Sequence, residues 1–192
     1  AHIWFLRSVP SRMALLLGLP AAYLVIVLVL WAFQERMAFP APRAALPDPR
    51  QVLGSGDRIE LVMHNGTRLA GWYLPPKEAG RGPAPGLLWF YGNGETIGAI
   101  WPVIRDFRPP GAALLVVDYP GYGASGGRAS EAGIYEAGEL AYQALASRAG
   151  VDRERIYVYG RSLGSAVATH VAADHPVAGL ILESPFTSAR DM

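Results

Sequence analysis

The residues best suited to chemistry lie in the segment YGRSLGS, residues 159–165, where Ser162 stands between Gly160 and Gly164. An apolar strand pattern precedes this segment and an apolar helix pattern follows it. Gly-x-Ser-x-Gly in that context predicts a sharp turn that holds the serine above a sheet, at a helix N-terminus. Ser162 is therefore the candidate nucleophile. The alternative is a tight strand–helix turn in which the serine only caps the helix.

A second glycine-rich loop, residues 91–94, follows another apolar strand. Ligands bind at the carboxyl ends of strands in open α/β sheets, so both loops should share one edge. The backbone N–H groups of Asn93 and Leu163 are then the candidate oxyanion hole, because they would face the carbonyl oxygen of a substrate attacked by Ser162. The alternative is a loose glycine turn without a catalytic role.

A third loop, residues 118–125, runs into the pattern Gly121-x-Gly123-x-x-Gly126, which fits a dinucleotide-binding fingerprint. That motif should follow the first strand of its unit and lead directly into a helix. Here residues 127–129 intervene and the strand is not the first. We therefore expect neither a nucleotide site nor any other cofactor.

Strand and helix patterns alternate over the region 58–192. Two strands, 58–63 and 68–74, flank an Asn65-Gly66 turn and predict a hairpin. The later strands are continuous apolar runs, as in parallel sheets that are covered on both faces. The pattern predicts a mostly parallel sheet with helices on both faces. The other predicted strands are 86–92, 113–119, 155–160 and 178–184, and the predicted helices are 96–107, 130–149 and 162–175.

Residues 13–34 contain no charged side chain and are long enough to cross a bilayer as one helix. A soluble core helix would need a polar face, and a cleaved signal would have a shorter apolar region and a small-residue cleavage site. We therefore predict a tail over 1–12, a transmembrane anchor over 13–34 that contacts membrane lipid, and a Pro-rich tether over 35–57. The alternative for the tether is a structured edge of the domain. The flanking arginines only weakly favour an exported domain.

The segments YGNGE, DYPGYGASGG, YGRSLGSAVA and LILESPFTS, in this order, resemble the α/β-hydrolase superfamily. More narrowly, they resemble its membrane-anchored branch, which is similar to serine aminopeptidases, monoacylglycerol lipases and protein depalmitoylases. The resemblance covers about residues 59–192 and implies an α/β-hydrolase fold, incomplete here. Most such sequences have His where this chain has Tyr91.

In this superfamily the nucleophile is followed along the chain by an acid and then a histidine. His170 follows Ser162 by eight residues, which is about 12 Å along a helix, whereas a general base must lie within about 3 Å. His175 is farther away, and His2 and His64 precede the serine. Glu183 is the acid candidate, with a structural role as the alternative. We expect an N-terminal fragment whose acid and histidine lie beyond Met192, inactive as it stands.

Composition excludes several functions. The net charge of +1 argues against a nucleic-acid surface, and the absence of cysteine excludes disulfides, thiolate catalysis and Cys-ligated zinc. The histidines show no ligand spacing, so no metal site is expected. The favoured hypothesis is a serine hydrolase that cleaves a small or lipid-like ester, thioester or amide. The alternative is a non-catalytic, membrane-tethered binding protein on the same fold.

Overall fold

The computed structural model describes residues 11–78 and 80–186, and it divides into two compact units between Ala38 and Phe39. In the first unit, helix α1, Ser11–Ala38, is 28 residues long. Within the described residues, one stretch, Gly18–Ala38, is long and apolar enough to cross a membrane. The helix extends beyond the 13–34 segment predicted from sequence at both ends. A signal sequence near the N-terminus can meet the same criteria of length and composition, so membrane anchoring stays a prediction.

The second unit is built on a six-stranded sheet in the order β1-β2-β4-β3-β5-β6. β1 and β2 form the predicted hairpin, and β2 is antiparallel to β4. β4, β3, β5 and β6 are parallel to one another, which confirms the mostly parallel sheet. The strands are β1 Asp57–Val62, β2 Arg68–Leu74, β3 Ala84–Phe90, β4 Ala113–Val117, β5 Val151–Arg161 and β6 Gly179–Glu183.

Burial follows the sequence of each strand. All five residues of β4 are buried, because a continuous apolar strand suits a position covered on both faces. β1 alternates between half-buried and exposed residues, as expected for an edge strand with one covered face. β6 lies at the other edge, and its side chains are exposed from Leu180 onward, with Ile181 52% exposed.

Three helices connect the parallel strands, and they cover both faces of the sheet as predicted. They are α3 Ile97–Phe107, α4 Glu131–Ala146 and α5 Leu163–Asp174. The chain moves one way across the sheet from β3 to β4 and the other way from β4 to β5 and β6. Right-handed crossovers therefore place α3 on one face and α4 and α5, which pack together, on the other. Thr96 and Ser130 cap α3 and α4 by accepting hydrogen bonds from Ala99 N and Gly133 N.

The Pro-rich segment does not extend freely from the sheet domain. From Phe39 onward it belongs to the same compact unit as the sheet, which matches the structured-edge alternative rather than the tether over 35–57. The backbone around Arg43 pairs with Gly123, and Trp72 Nε1 donates to the Pro47 carbonyl at 3.1 Å. A short helix, α2 Pro49–Leu53, is capped by Asp48. Backbone carbonyls of this strap, residues 39–57, thus serve as acceptors for distant donors, a role that composition alone did not reveal.

Candidate active site

Ser162 lies on a sharp turn between β5 and α5, with φ 49° and ψ −117°. Positive φ is strained for a residue with a Cβ, so the surrounding structure must hold it. The two flanking glycines are sterically required. A Cβ at Gly160 would lie 2.2 Å from the Gly164 carbonyl oxygen, and one at Gly164 would lie 2.2 Å from that of Phe90. The turn has the backbone geometry that the Gly-x-Ser-x-Gly pattern predicts.

Hydrogen bonds fix this turn from two sides. Ser162 N donates to the Glu183 carbonyl oxygen at 2.9 Å, which ties the turn to β6. The Ser162 carbonyl oxygen accepts from Ser165 N at 2.8 Å and from Ser165 Oγ at 2.6 Å. Leu163 is the first residue of α5, where backbone N–H groups have no partner within the helix. Its role as an oxyanion-hole donor remains a prediction.

The loop after β3 is tied to the serine turn by Glu95. One carboxylate oxygen of Glu95 accepts from Gly92 N at 2.8 Å, and the other forms an ion pair with Arg161. The hydrogen bond from Arg161 to Glu95 raises the pKa of the guanidinium. Because β3 and β5 are adjacent, residues directly after them meet. Sequence reasoning missed this pair, although opposite charges beside two glycine turns were a usable signal.

Asn93, the other candidate oxyanion-hole residue, is held by the loop after β4. Tyr122 Oη donates to Asn93 Oδ1 at 2.5 Å, while the Asn93 side chain stays at the surface. Burial raises the pKa of Tyr122 to about 12, so its phenol remains a donor at neutral pH. The structure thus places the Asn93 and Leu163 loops at the carboxyl ends of adjacent strands, and their role in catalysis remains a prediction.

Asp118, which directly follows β4, accepts hydrogen bonds from the loop after β3 and from the loop after β4. Its Oδ1 accepts from Tyr91 Oη and Ile97 N, each at 2.9 Å, and its Oδ2 accepts from Ala124 N at 3.1 Å. Burial raises the pKa of Asp118, and these hydrogen bonds oppose the rise. Tyr91, the departure from the usual family pattern, therefore has a specific partner.

One glycine of the pattern after β4, Gly123, lies directly against this carboxylate. A Cβ at Gly123 would lie 2.0 Å from Asp118 Oδ2, and its φ is 48°. The following helix begins only at Glu131. At Gly123 the geometric demand for glycine therefore comes from the Asp118 side chain.

Ser125 and Ser165 also lie near glycines, and both have structural hydrogen bonds. Ser125 is fully buried; its Oγ donates to the Asp118 carbonyl oxygen at 2.5 Å and accepts from Ala70 N at 2.9 Å. Ser165 is 2% exposed and donates to the Ser162 carbonyl oxygen. Neither hydroxyl is free to attack a substrate, whereas Ser162 is half-buried at the open edge of the sheet.

Glu183, the acid candidate, ends β6 at the same edge of the sheet. Its backbone carbonyl holds Ser162 N, and its carboxylate accepts from Tyr159 Oη at 2.5 Å. Burial, together with this hydrogen bond, raises the pKa of the Tyr159 phenol. The Glu183 side chain is exposed and hydrogen-bonded to Tyr159, so its role as the acid of a catalytic triad stays a prediction.

The three histidines of the described residues all contact carboxylates away from the serine turn. His64 Nδ1 lies 2.7 Å from Glu136 Oε1, next to the β1–β2 turn. His170 and His175 lie in the second half of α5 and just after it, and both contact Glu139. Since α5 begins at the serine turn and leads away from it, neither reaches Ser162 as a base. His2 lies outside the described residues.

A mostly parallel sheet with a serine on the strand–helix turn at its carboxyl edge defines the class of α/β hydrolases. The sequence profile described as "alpha/beta hydrolase fold" matches residues 85–192. The chain belongs to this family.

Similar proteins cover nearly all of this chain but extend well beyond it. Uncharacterized protein Rv2307c of Mycobacterium tuberculosis is 34% identical over 87% of this chain and 59% of its own length. The alpha/beta hydrolase domain-containing protein WAV2 of Arabidopsis thaliana is 33% identical over 93% of this chain and 60% of its own. The chain therefore spans about 60% of the length of these curated relatives.

Among solved structures, the Pyrococcus furiosus esterase Pf2001 superposes with a TM-score of 0.63 at 21% identity. The match covers 75% of this chain and 57% of that protein. At this identity the likeness supports the shared fold.

Proposed function

We propose that this chain carries the nucleophile of a membrane-anchored serine hydrolase that cleaves an ester, thioester or amide through an acyl-enzyme on Ser162. The observation that carries the proposal is the backbone of Ser162, a non-glycine residue at φ 49° on the strand–helix turn. Strain of this kind, kept in place by two glycines and three hydrogen bonds, is typical of positions where a side chain must be presented for chemistry.

Each group has a defined part in the proposed reaction. Ser162 Oγ adds to the substrate carbonyl carbon while a histidine takes its proton. The resulting oxyanion accepts hydrogen bonds from the N–H groups of Asn93 and Leu163. Collapse breaks the bond to the leaving group, which takes the proton back from the imidazolium. Water then repeats the sequence on the acyl-enzyme, releasing the acid and restoring the Ser162 hydroxyl.

The base is the part of this mechanism that the described residues do not supply. His64, His170 and His175 are each paired with a carboxylate away from the serine turn. The proposal therefore requires a histidine from outside residues 11–186, and an acid either there or at Glu183. We place the histidine in the part of the protein that the relatives have and this chain does not span.

The substrate class and location form the finer part of the proposal. Gly18–Ala38 is exposed and apolar over 21 residues, about 32 Å of helix, which suits an anchor spanning the bilayer. An anchored site near lipid favours a lipid-like acyl substrate, in line with the resemblance to monoacylglycerol lipases and depalmitoylases. The flanking charges favour the exported side for the sheet domain.

A fluorophosphonate probe tests the nucleophile directly. We expect the full-length gene product to be labelled at Ser162, as identified by mass spectrometry of the labelled peptide, and Ser162→Ala to lose all labelling. Ser147→Ala, on the surface at the end of α4, is the matched control and should be labelled like the wild type. Labelling located at Ser125 or Ser165 would overturn the assignment.

A second candidate function is a membrane-tethered binding protein that keeps the fold and the serine but has no base. The observation that favours it is that no histidine among the described residues is available to Ser162. The two functions differ in one measurement. A full-length protein that neither reacts with the fluorophosphonate nor hydrolyses a short-chain p-nitrophenyl ester would support the binding protein.

A further inference from the structure

Helices α4 and α5 bring three metal-ligating side chains together on the face of the sheet that they share. Glu139 comes from α4, and His170 and Asp174 come from α5, one helical turn apart. One ligand atom of each lies within 4.8 Å of the others. His170 Nε2 is 3.5 Å from Glu139 Oε1 and 3.9 Å from Asp174 Oδ2. We propose that these three side chains bind a divalent transition-metal ion, with Zn²⁺ as the best fit.

Two of the three separations between ligand atoms are close to those around a tetrahedral ion, and the third, between Glu139 and Asp174, is within 4.8 Å. Zinc binds imidazole nitrogen and carboxylate oxygen at about 2.1 Å, so two of its ligand atoms lie about 3.4 Å apart. The separations of 3.5 and 3.9 Å from His170 Nε2 exceed that value by a few tenths of an ångström. Side-chain rotations alone close that difference, since residues four apart on a helix already share one face.

The Glu139 carboxylate provides a second, independent observation. Its Oε2 contacts His175 Nε2, whereas its Oε1 is removed from solvent and has no hydrogen-bond partner. Leaving a buried carboxylate oxygen without a donor is costly. A cation between Oε1 and His170 Nε2 satisfies that oxygen. His175 then acts as a positioning residue that donates to the other oxygen, the arrangement common behind metal-bound carboxylates.

Aromatic stacking holds both imidazole rings in place. His170 stacks on Tyr135 with ring centroids 4.5 Å apart, and His175 stacks on Tyr142 at 4.1 Å. The ligand set of one imidazole and two carboxylates suits zinc or cobalt better than the all-oxygen shells of magnesium and calcium. Because His170 follows Ser162 by eight residues of helix, about 12 Å, the ion would link α4 to α5 and take no part in chemistry at Ser162.

The sequence did not reveal this site. His170 and Asp174 have the i, i+4 spacing of helical ligands, but Glu139 lies 31 positions earlier in the sequence than His170 and joins them only through the packing of α4 on α5.

The test uses the 192-residue chain in detergent, stripped of metal with EDTA and titrated with ZnCl₂ by calorimetry. We expect one zinc ion per chain, and visible absorption bands of tetrahedral Co²⁺ when cobalt replaces zinc. His170→Ala should bind zinc at least about 100-fold more weakly. His175→Ala, which removes the positioning contact with Glu139 together with the stacking on Tyr142 but no ligand atom, should lose about 10- to 100-fold. At free zinc 100 times the dissociation constant, the unfolding temperature should rise by about 5–10 °C.

His64→Ala is the matched control, because His64 also pairs with a glutamate but, within the described residues, belongs to no group of three metal-ligating side chains. It should bind zinc like the wild type. Asp174→Asn guards against a folding artefact, since the Asp174 side chain is 60% exposed and its replacement should leave the circular dichroism spectrum of the metal-free chain unchanged. A wild-type chain without stoichiometric zinc binding, or a His170→Ala variant that binds as tightly as the wild type, overturns the proposal.

Discussion

Tyr91→Phe removes one oxygen atom that serves two partners in the interior. The phenol donates to Asp118 Oδ1 at 2.9 Å and accepts from Tyr119 N at 3.2 Å, and the side chain is 1% exposed. Phenylalanine keeps the ring, so the packing against Tyr119, at a centroid distance of 4.7 Å, should survive. The substitution therefore isolates the hydrogen bonds from the packing.

The size of the change in the free energy of unfolding follows from the hydrogen bonds that Asp118 and Tyr119 N lose. A hydrogen bond to a charged group contributes about 1.5–3 kcal/mol, and a buried N–H left without an acceptor costs about 1–3 kcal/mol. Asp118 keeps its bonds from Ile97 N and Ala124 N, so the loss of its bond from Tyr91 should cost an amount near the lower end of that range. We expect the free energy of unfolding to fall by about 3 kcal/mol, which lowers the unfolding temperature by about 6–12 °C for a chain of this size.

The loss should depend on pH in a defined direction. Burial raises the pKa of Asp118, and the Tyr91 hydrogen bond opposes that rise. Removing the bond raises the folded-state pKa further. A carboxyl whose folded-state pKa is raised loses stability as pH increases through that pKa. The deficit of Tyr91→Phe relative to the wild type should therefore be smallest in acid, where Asp118 is protonated in both proteins, and larger at pH 8.

Thermal and urea unfolding, monitored by near-UV circular dichroism, measure the difference at each pH. Tyr135→Phe is the control: its phenol donates to Glu131 Oε1 at 3.3 Å on the surface of α4, so its loss should cost less than about 0.5 kcal/mol. If Tyr91→Phe costs no more than this control, the conclusion that the buried phenol ties the loops together is refuted.

Two further predictions concern the strap and the glutamate of the site. A chain beginning at Phe39 should stay in the supernatant when membranes are washed with carbonate, and it should keep the circular dichroism spectrum of the sheet domain. A chain beginning at Asp48 should unfold several degrees lower because it loses the hydrogen bonds of Arg43. Sedimentation of the Phe39 chain with membranes would contradict the single anchor. In the full-length protein, Glu95→Gln keeps an acceptor for the loop N–H but loses the ion pair with Arg161. We expect kcat for ester hydrolysis to fall about tenfold, about 1.4 kcal/mol, and an unchanged kcat would show that Glu95 does not position the loop.

The regular elements and the serine turn were predictable because their causes are local. Apolar runs set the buried strands, and Ser130 starts α4 by capping it, wherever the rest of the chain lies. The turn at Gly66 formed where Asn-Gly predicts it. Part of the steric reason for the Gly-x-Ser-x-Gly pattern is also local, since the close approach at Gly160 is to Gly164 in the same turn, whereas the one at Gly164 is to Phe90 in the neighbouring strand.

The contacts that connect loops were not predictable, because they join residues far apart in sequence. Arg161 and Glu95 are 66 positions apart, and each reads in isolation as a surface charge. Tyr91 looked like a simple departure from a family pattern until its partner 27 residues away was visible. The strap looked like a tether because prolines lack N–H donors, but its carbonyl groups remain free to accept from distant side chains.

The strap also has a consequence for the time course of synthesis. Arg43 donates to the carbonyl oxygens of Ser125 and Gly127, the first of which lies 82 residues later. At about 5–20 residues per second, a ribosome needs about 4–16 s to add that many residues. During that interval Arg43 lacks these two acceptors, whereas Leu46 and Pro47 can already accept from Arg58 and Trp72 of the hairpin. The strap is thus secured in two stages during synthesis, first at Leu46 and Pro47 by the hairpin and later at Arg43 by the loop after β4.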